Sequence, residues 1–172
     1  MASFSYSLWL MPAHPLQDML TRIIGELAQR FGTIAFAPHV TLCSNKWTGG
    51  LDDLVGKVDR LSSVLQPTTM ASNGLGCGDK KTTFFYIRLD DDVVSPLFTQ
   101  AKRALPGSYS PKIGAHLSLI YAEPTAAIDR KSLAGELADR VPKQIDFDKL
   151  QLVIPVETEN ESERWITKHS VQ

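Results

Sequence analysis

The sequence predicts an α+β domain made of two similar halves, and three observations point there. Stretches in which apolar and polar residues alternate, the period of a strand, are interleaved with stretches repeating every three to four residues, the period of a helix. Each half reads in one order: strand, helix, motif strand, helix, strand. The tetrapeptide His39-Val40-Thr41-Leu42 returns as His116-Leu117-Ser118-Leu119, an offset of 77 residues (116 − 39). Mixed α and β domains also alternate elements at this spacing without any duplication. Trp9 moved forward by 77 lands on Tyr86, within the second half's opening strand. That match favours a weak internal duplication.

The elements follow from local pattern. Residues 5–12 read as a strand, with Tyr6, Leu8 and Leu10 on one face, Ser7, Trp9 and Met11 on the other, and Pro12 ending it. From 16 to 31 the period becomes helical, with Pro15 suited to the first turn and Gly32 to the C-terminal cap. Residues 36–42 are the first motif strand. Thr48-Gly49-Gly50 breaks the chain before a helical stripe over 51–65, closed by Pro67. Residues 68–75 read as a strand running into a turn at Gly74, Gly76 and Gly78, which feeds a strand over 82–89. A helix over 94–105 stops at Pro106-Gly107, a polar loop leads to the second motif strand, and 128–141 is a weaker helix. Clean alternation gives a strand over 147–156, followed by an acidic, solvated turn through Asn160 and a short strand around Trp165.

A chain of 172 residues with 43% hydrophobic and 22% charged residues can bury one sizeable core, so one domain, 1–172, is expected. Its two lobes are placed at roughly 1–78 and 79–172, with strand exchange between them allowed. A net charge of −1 cannot neutralise a long run of backbone phosphates, so a long nucleic acid is not the expected partner. A short, singly charged substrate fits better. No apolar run reaches the length of a membrane helix, and the N-terminus lacks a charged region before its apolar stretch, so a cytoplasmic location and no membrane partner are expected. Cys43 and Cys77 show no zinc spacing and read as buried small hydrophobes in a reducing compartment, with a bridge between them left open. The chain is expected to act as a monomer.

The paired motif carries the chemistry. In a strand, each His shares a face with the hydroxyl two residues on, while Val40, Leu42, Leu117 and Leu119 point the other way. Two such strands facing across a groove bring together two imidazoles and two hydroxyls. An imidazole titrates near pH 6.5, so one ring serves as acid and another as base at neutral pH, as opening a cyclic phosphate requires. Thr41 and Ser118 would then donate to the non-bridging oxygens. A lone His in a strand is usually structural, and either motif alone would carry little weight. Together they are far more specific, and they use two of only four histidines. His14 and His169 read as surface residues. No HxH or HxxxH pattern offers a metal site, so neither metal nor cofactor is expected. Cys43, four residues after His39, falls on the same strand face and reads as packing beside the site rather than as a nucleophile. The loops at 47–50 and 108–114 have the Gly, Pro and Ser content of lids.

At this point the sequence resembles the 2H phosphoesterase superfamily and, within it, the plant and fungal cyclic phosphodiesterases. The likeness is carried by Tyr6-Ser7-Leu8-Trp9, Pro38-His39-Val40-Thr41-Leu42, Thr83-Phe84-Phe85-Tyr86 and His116 through Glu123. It implies a bilobal α+β fold, two pseudo-symmetric lobes each with a mainly antiparallel sheet and outer helices, with the active site in the central groove. It also implies metal-independent hydrolysis of ADP-ribose 1″,2″-cyclic phosphate and of nucleoside 2′,3′-cyclic phosphates, the latter to 2′-phosphates. By position, His39 and His116 would be catalytic and Thr41 and Ser118 would hold the phosphate. Family precedent implies His116 as base and His39 as acid, an assignment that spacing does not make. Tyr121 matches a substrate-contacting aromatic, although an ideal strand would turn it away from the face of His116. Trp9 is placed either to stack on a base or to pack in the core. Two other readings stand beside this one: an RNA-end-processing or 2′,5′ ligase-like enzyme, and a non-enzymatic nucleotide-binding domain.

Overall fold

The computed structural model describes residues 3–108, 112–156 and 164–171, with side chains described up to residue 155. Among the described residues seven strands and four α-helices follow one another: β1 (Phe4–Pro12), α1 (Leu16–Phe31), β2 (Val40–Trp47), α2 (Leu51–Ser62), β3 (Thr68–Cys77), β4 (Phe85–Leu89), α3 (Asp91–Ala104), β5 (His116–Ile120), α4 (Arg130–Leu137), β6 (Gln144–Val156) and β7 (Arg164–Val171). All the strand pairings are antiparallel. Six strands form a closed circuit, β1-β2-β5-β4-β3-β6 and back to β1, and β7 adds to β6. The thirteen-residue β6 makes closure possible. Its start pairs with β3 through Gln144 to Phe147, and its middle pairs with β1 through Phe147 to Val153.

The pairings group β1, β2 and β6 on one side and β3, β4 and β5 on the other, so β3 joins the second half's strands and β6 the first's. The two groups meet between the motif strands at one residue pair, Val40 with Leu117. The apolar faces of the strands and the inner stripes of the helices form one core, with Leu8, Leu10, Leu42, Phe84, Leu117 and Leu152 among its fully buried members. The polar faces of the same strands are thereby left to a cleft.

Several boundaries depart from the pattern, each for a local reason. The first motif strand starts at Val40 rather than 36, because Pro38 lacks an N–H for a ladder and restrains Ala37. Strand β3 runs through the glycines instead of turning at them. Gly74, at φ +86°, sits where the register with β4 shifts, and a side chain on Gly76 would meet the Tyr86 ring at 2.6 Å. The 82–89 stretch opens with a 3-10 turn at Lys81–Thr83 before β4 begins. Helix α4 starts later and ends earlier than expected, with Asp129 accepting from the N–H groups of Lys131 and Ser132 as its cap. Cys43 is buried but Cys77 is exposed, since it ends β3 at the cleft; both are free thiols. The acidic turn lies outside the described residues, as do the His169 side chain and part of the 108–114 loop. His14 is exposed and bonds Asp18 at 3.2 Å. No helix among the described residues is long and apolar enough to cross a membrane.

Candidate active site

A cleft of about 1170 Å³ opens on the polar faces of the central strands. His39, Thr41, His116, Ser118, Tyr121 and Trp9 all line it, so six residues drawn from three separate stretches meet at one cleft. The single Val40–Leu117 pair explains the convergence: with those two side chains turned into the core, the residues on either side of each turn into the cleft.

Each histidine is held by the same backbone device. His39 Nδ1 lies 2.7 Å from the Ala37 carbonyl oxygen and His116 Nδ1 lies 3.0 Å from that of Gly114. A carbonyl only accepts, so each Nδ1 carries the hydrogen and each Nε2 bears the lone pair of the neutral ring. Both acceptors stand two residues before their histidine, again at the offset of 77. Glycine is required at one of them: Gly114 has φ +80°, and a Cβ there would lie 2.6 Å from both carboxylate oxygens of Asp91.

The surroundings of the two rings differ. Trp9 stacks flat on His39, with centroids 3.6 Å apart and planes at 9°, and its Nε1 donates to Ser7 Oγ at 2.8 Å. Phe36 meets the His39 ring edge-on at 6.2 Å and stacks on Tyr121 at 3.8 Å. Strand β5 ends at Ile120, so Tyr121 is free of strand alternation and its hydroxyl stands 3.5 Å from His39 Nε2. His39 is thus enclosed by rings. Burial lowers its pKa from 6.5 to about 4, with the Ala37 carbonyl opposing and the nearby His116 adding to the fall. An indole face attracts a cation by ~0.5–2 kcal/mol, but here desolvation of the whole ring outweighs it. His116 meets Tyr86 edge-on at 5.3 Å and is buried less completely. Its pKa is also lowered by burial, with the Gly114 carbonyl and then the Asp91 carboxylate opposing.

The hydroxyls differ as well. Ser118 Oγ donates to the Thr82 carbonyl at 2.6 Å, so its proton is engaged by the turn before β4. Thr41 is half-buried on the opposite strand. Lys46, Lys80 and Lys112 also line the cleft with Asp79, giving it a positive balance that the whole chain lacks. Among the described residues no cluster of three or more His, Cys, Asp or Glu gathers that could hold a metal ion. Sequence reasoning missed Phe36, which sits outside any strand and has no periodic signal. It also missed Asp91, which as a sequence feature is one of three aspartates at the start of a helix.

A family model described as cyclic phosphodiesterase-like protein matches residues 3–95, more than half of the chain. This chain belongs to the cyclic phosphodiesterase-like family. The matched stretch contains the His39 motif and Trp9, while the His116 motif lies beyond it and is joined to the first by the fold. No curated protein matches the sequence. Among solved structures, Escherichia coli LigT in complex with 3′-AMP is similar at a TM-score of 0.62 with 12% identity, covering 99% of this chain and 98% of that one. Kluyveromyces marxianus Usb1 is similar at a TM-score of 0.51 with 12% identity, covering 95% and 97%. At such identities the likeness is one of fold, and that fold is the mixed α+β architecture of the 2H phosphoesterases. Membership in the family makes the chain a phosphoesterase of that superfamily.

Proposed function

We propose that this family member hydrolyses cyclic phosphates of small nucleotides, using His39 and His116 as an acid–base pair without a metal or cofactor. The observation that carries the reading is the paired Nδ1–H to carbonyl bond, which leaves Nε2 as the proton-accepting nitrogen of two neutral rings that line one cleft. In-line opening of a cyclic phosphate needs one group to take a proton from attacking water and another to give one to the departing sugar oxygen. Thr41 and Ser118 stand beside the two rings to hold the non-bridging oxygens, Ser118 by exchanging the Thr82 carbonyl for the phosphate. Trp9 supports His39, and Tyr121 borders the substrate.

The substrate class follows from size and charge. A cleft of this volume takes a nucleotide, and its three lysines suit an anion with more than the one charge of the reacting diester. ADP-ribose 1″,2″-cyclic phosphate and nucleoside 2′,3′-cyclic phosphates both fit, giving ADP-ribose 1″-phosphate and 2′-phosphates. Small nucleotides are bound by the similar folds: LigT is seen with 3′-AMP and Usb1 with uridine monophosphate. The test is hydrolysis of adenosine 2′,3′-cyclic phosphate and of an oligonucleotide ending in the same group, each with and without a chelator. Turnover of the mononucleotide that survives chelation, with the 2′-phosphate as product, is expected. Activity confined to the oligonucleotide would favour an RNA-end enzyme, tight binding without turnover a nucleotide-binding domain, and activity abolished by chelation a metal mechanism.

A further inference from the structure

Part of the cleft is built by a loop rather than by a strand. The link from β3 to β4 contributes residues 78–80, 82 and 83 to its lining. The same loop holds the hydroxyl assigned above to the phosphate, because the Thr82 carbonyl accepts from Ser118 Oγ at 2.6 Å. What holds the loop in turn comes from outside the cleft. Arg130, the first residue of α4, donates from Nη1 to the Gly78 carbonyl at 3.1 Å, and its guanidinium lies over the Phe84 ring, 4.7 Å from the centroid. Gly78 and Phe84 stand at the two ends of the link, so one side chain closes its neck. We propose, on the hydrolase reading above, that Arg130 is a positioning residue: by clamping the loop it fixes the Thr82 carbonyl that aims the Ser118 hydroxyl at the phosphate.

The loop has little slack. Gly78 faces Thr83 so closely that a Cβ there would lie 2.5 Å from Thr83 Oγ1 and 2.7 Å from the Thr83 carbonyl oxygen. The Thr83 N–H donates to the Lys80 carbonyl at 3.0 Å in the 3-10 turn, and the Lys81 carbonyl accepts the Ala122 N–H at 3.2 Å just beyond β5. Arg130 adds the tie to α4. Arginine suits the place: a flat guanidinium lies on a ring and donates in its own plane at once, as a lysine ammonium cannot. It makes no ion pair among the described residues, and Asp129 caps α4 through the N–H groups of Lys131 and Ser132. The Arg130 side chain is therefore committed to the loop rather than to its own helix.

The consequence for the reaction lies in one rotor. A hydroxyl hydrogen turns about its Cβ–Oγ bond, so Ser118 can swing its O–H from the Thr82 carbonyl to a non-bridging phosphate oxygen while Oγ stays in place. Oγ stays in place only while its acceptor does. With the loop released, Ser118 samples other rotamers, and the donor is no longer set in advance where charge develops. Binding of the substrate as a whole, which the rest of the cleft provides, changes little.

Kinetics on adenosine 2′,3′-cyclic phosphate and amide hydrogen exchange test this on the full chain. Arg130→Ala should lower kcat by ~10-fold with KM changed less than ~2-fold. It should also speed exchange at the Thr83 and Ala122 amides, which bond to loop carbonyls. In a Ser118→Ala background the same substitution should cost less than ~2-fold in kcat, because the group it positions is gone. Losses that multiply in the double variant would overturn the role of Arg130, as would unchanged exchange in folded Arg130→Ala. Should Arg130→Ala fail to fold, Gly78→Ala forces the neck apart from the loop's own side and should show the same kcat loss and the same non-additivity with Ser118→Ala; a loss independent of Ser118 there would also overturn the clamp. A wild-type protein inert on the cyclic nucleotide would defeat the hydrolase reading, while hydrogen exchange in the two variants would still decide whether the loop is clamped.

Discussion

The His39 and His116 half-sites are built from one plan and finished differently. In both, a histidine donates from Nδ1 to the carbonyl two residues earlier and an aromatic residue from the neighbouring strand touches the ring. At His39 that aromatic is Trp9, laid flat in a box with Phe36 and Tyr121; at His116 it is Tyr86, met by its edge, with a carboxylate behind the supporting peptide. A repeated scaffold thus places two like groups among unlike neighbours: burial lowers the pKa of both rings, and a carboxylate opposes the fall only at His116. Acid–base catalysis needs both: the same reach from each ring, and a difference in which one holds the proton.

The most severe way to break the pair is to delete a ring. His39→Ala or His116→Ala is expected to lower kcat by ~10²–10⁴-fold with the fold intact by circular dichroism. Near-normal turnover in either would remove that ring from catalysis. Next comes the support of His39. Trp9→Ala empties a buried site against Met11 and Val153 and should cost ~3–5 kcal/mol in urea unfolding; a loss below ~1 kcal/mol would mean that the indole is not structural.

Acid titration sharpens the contrast at His39. Its folded-state pKa, about 4, lies below the 6.5 of the unfolded chain, so the unfolded state binds the extra proton. This stabilisation is therefore complete above about pH 6.5 and is lost as the pH falls toward 4. Up to about 3 kcal/mol should disappear across that window, and His39→Ala should flatten the slope of stability against pH. A wild-type profile identical to that of the variant would refute the buried, neutral ring.

The two acceptor residues offer a smaller contrast. Gly114→Ala must strain a φ of +80° and displace Asp91, for ~1–3 kcal/mol. Ala37→Gly, at the matching place, needs no such backbone and should cost under ~1 kcal/mol. Equal losses would deny the asymmetry. The least effect is expected from Tyr121→Phe, since a hydroxyl 3.5 Å from His39 Nε2 makes a weak bond. A drop of about 2–5-fold in kcat/KM is expected, and a loss as large as that of His39→Ala would make the phenol a catalytic group.

Much of this was legible in the chain. The helix over 16–31 was bounded to the residue by Pro15 and Gly32, because breakers act locally. That His39, Thr41, His116 and Ser118 line one cleft was legible because strand alternation fixes which side chains share a face. Two kinds of feature were not. Tyr121 reaches the site only because β5 stops at Ile120, and where a strand stops depends on its partners across the sheet. Phe36 lies where Pro38 keeps the chain out of β2, so its contact with Tyr121 has no period to betray it.

By itself the sequence determined the residue types, the order of elements, the two motifs with their offset, and the chemistry a pair of imidazoles can perform. All of these are local: they depend on backbone sterics, side-chain period and intrinsic pKa. Only the tertiary structure decided that β6 spans both groups of strands, that Val40 meets Leu117, and that an indole covers one histidine while an aspartate backs the other. Those outcomes depend on burial and on distances between residues far apart in the chain, and the proton affinities of the two rings depend on them in turn.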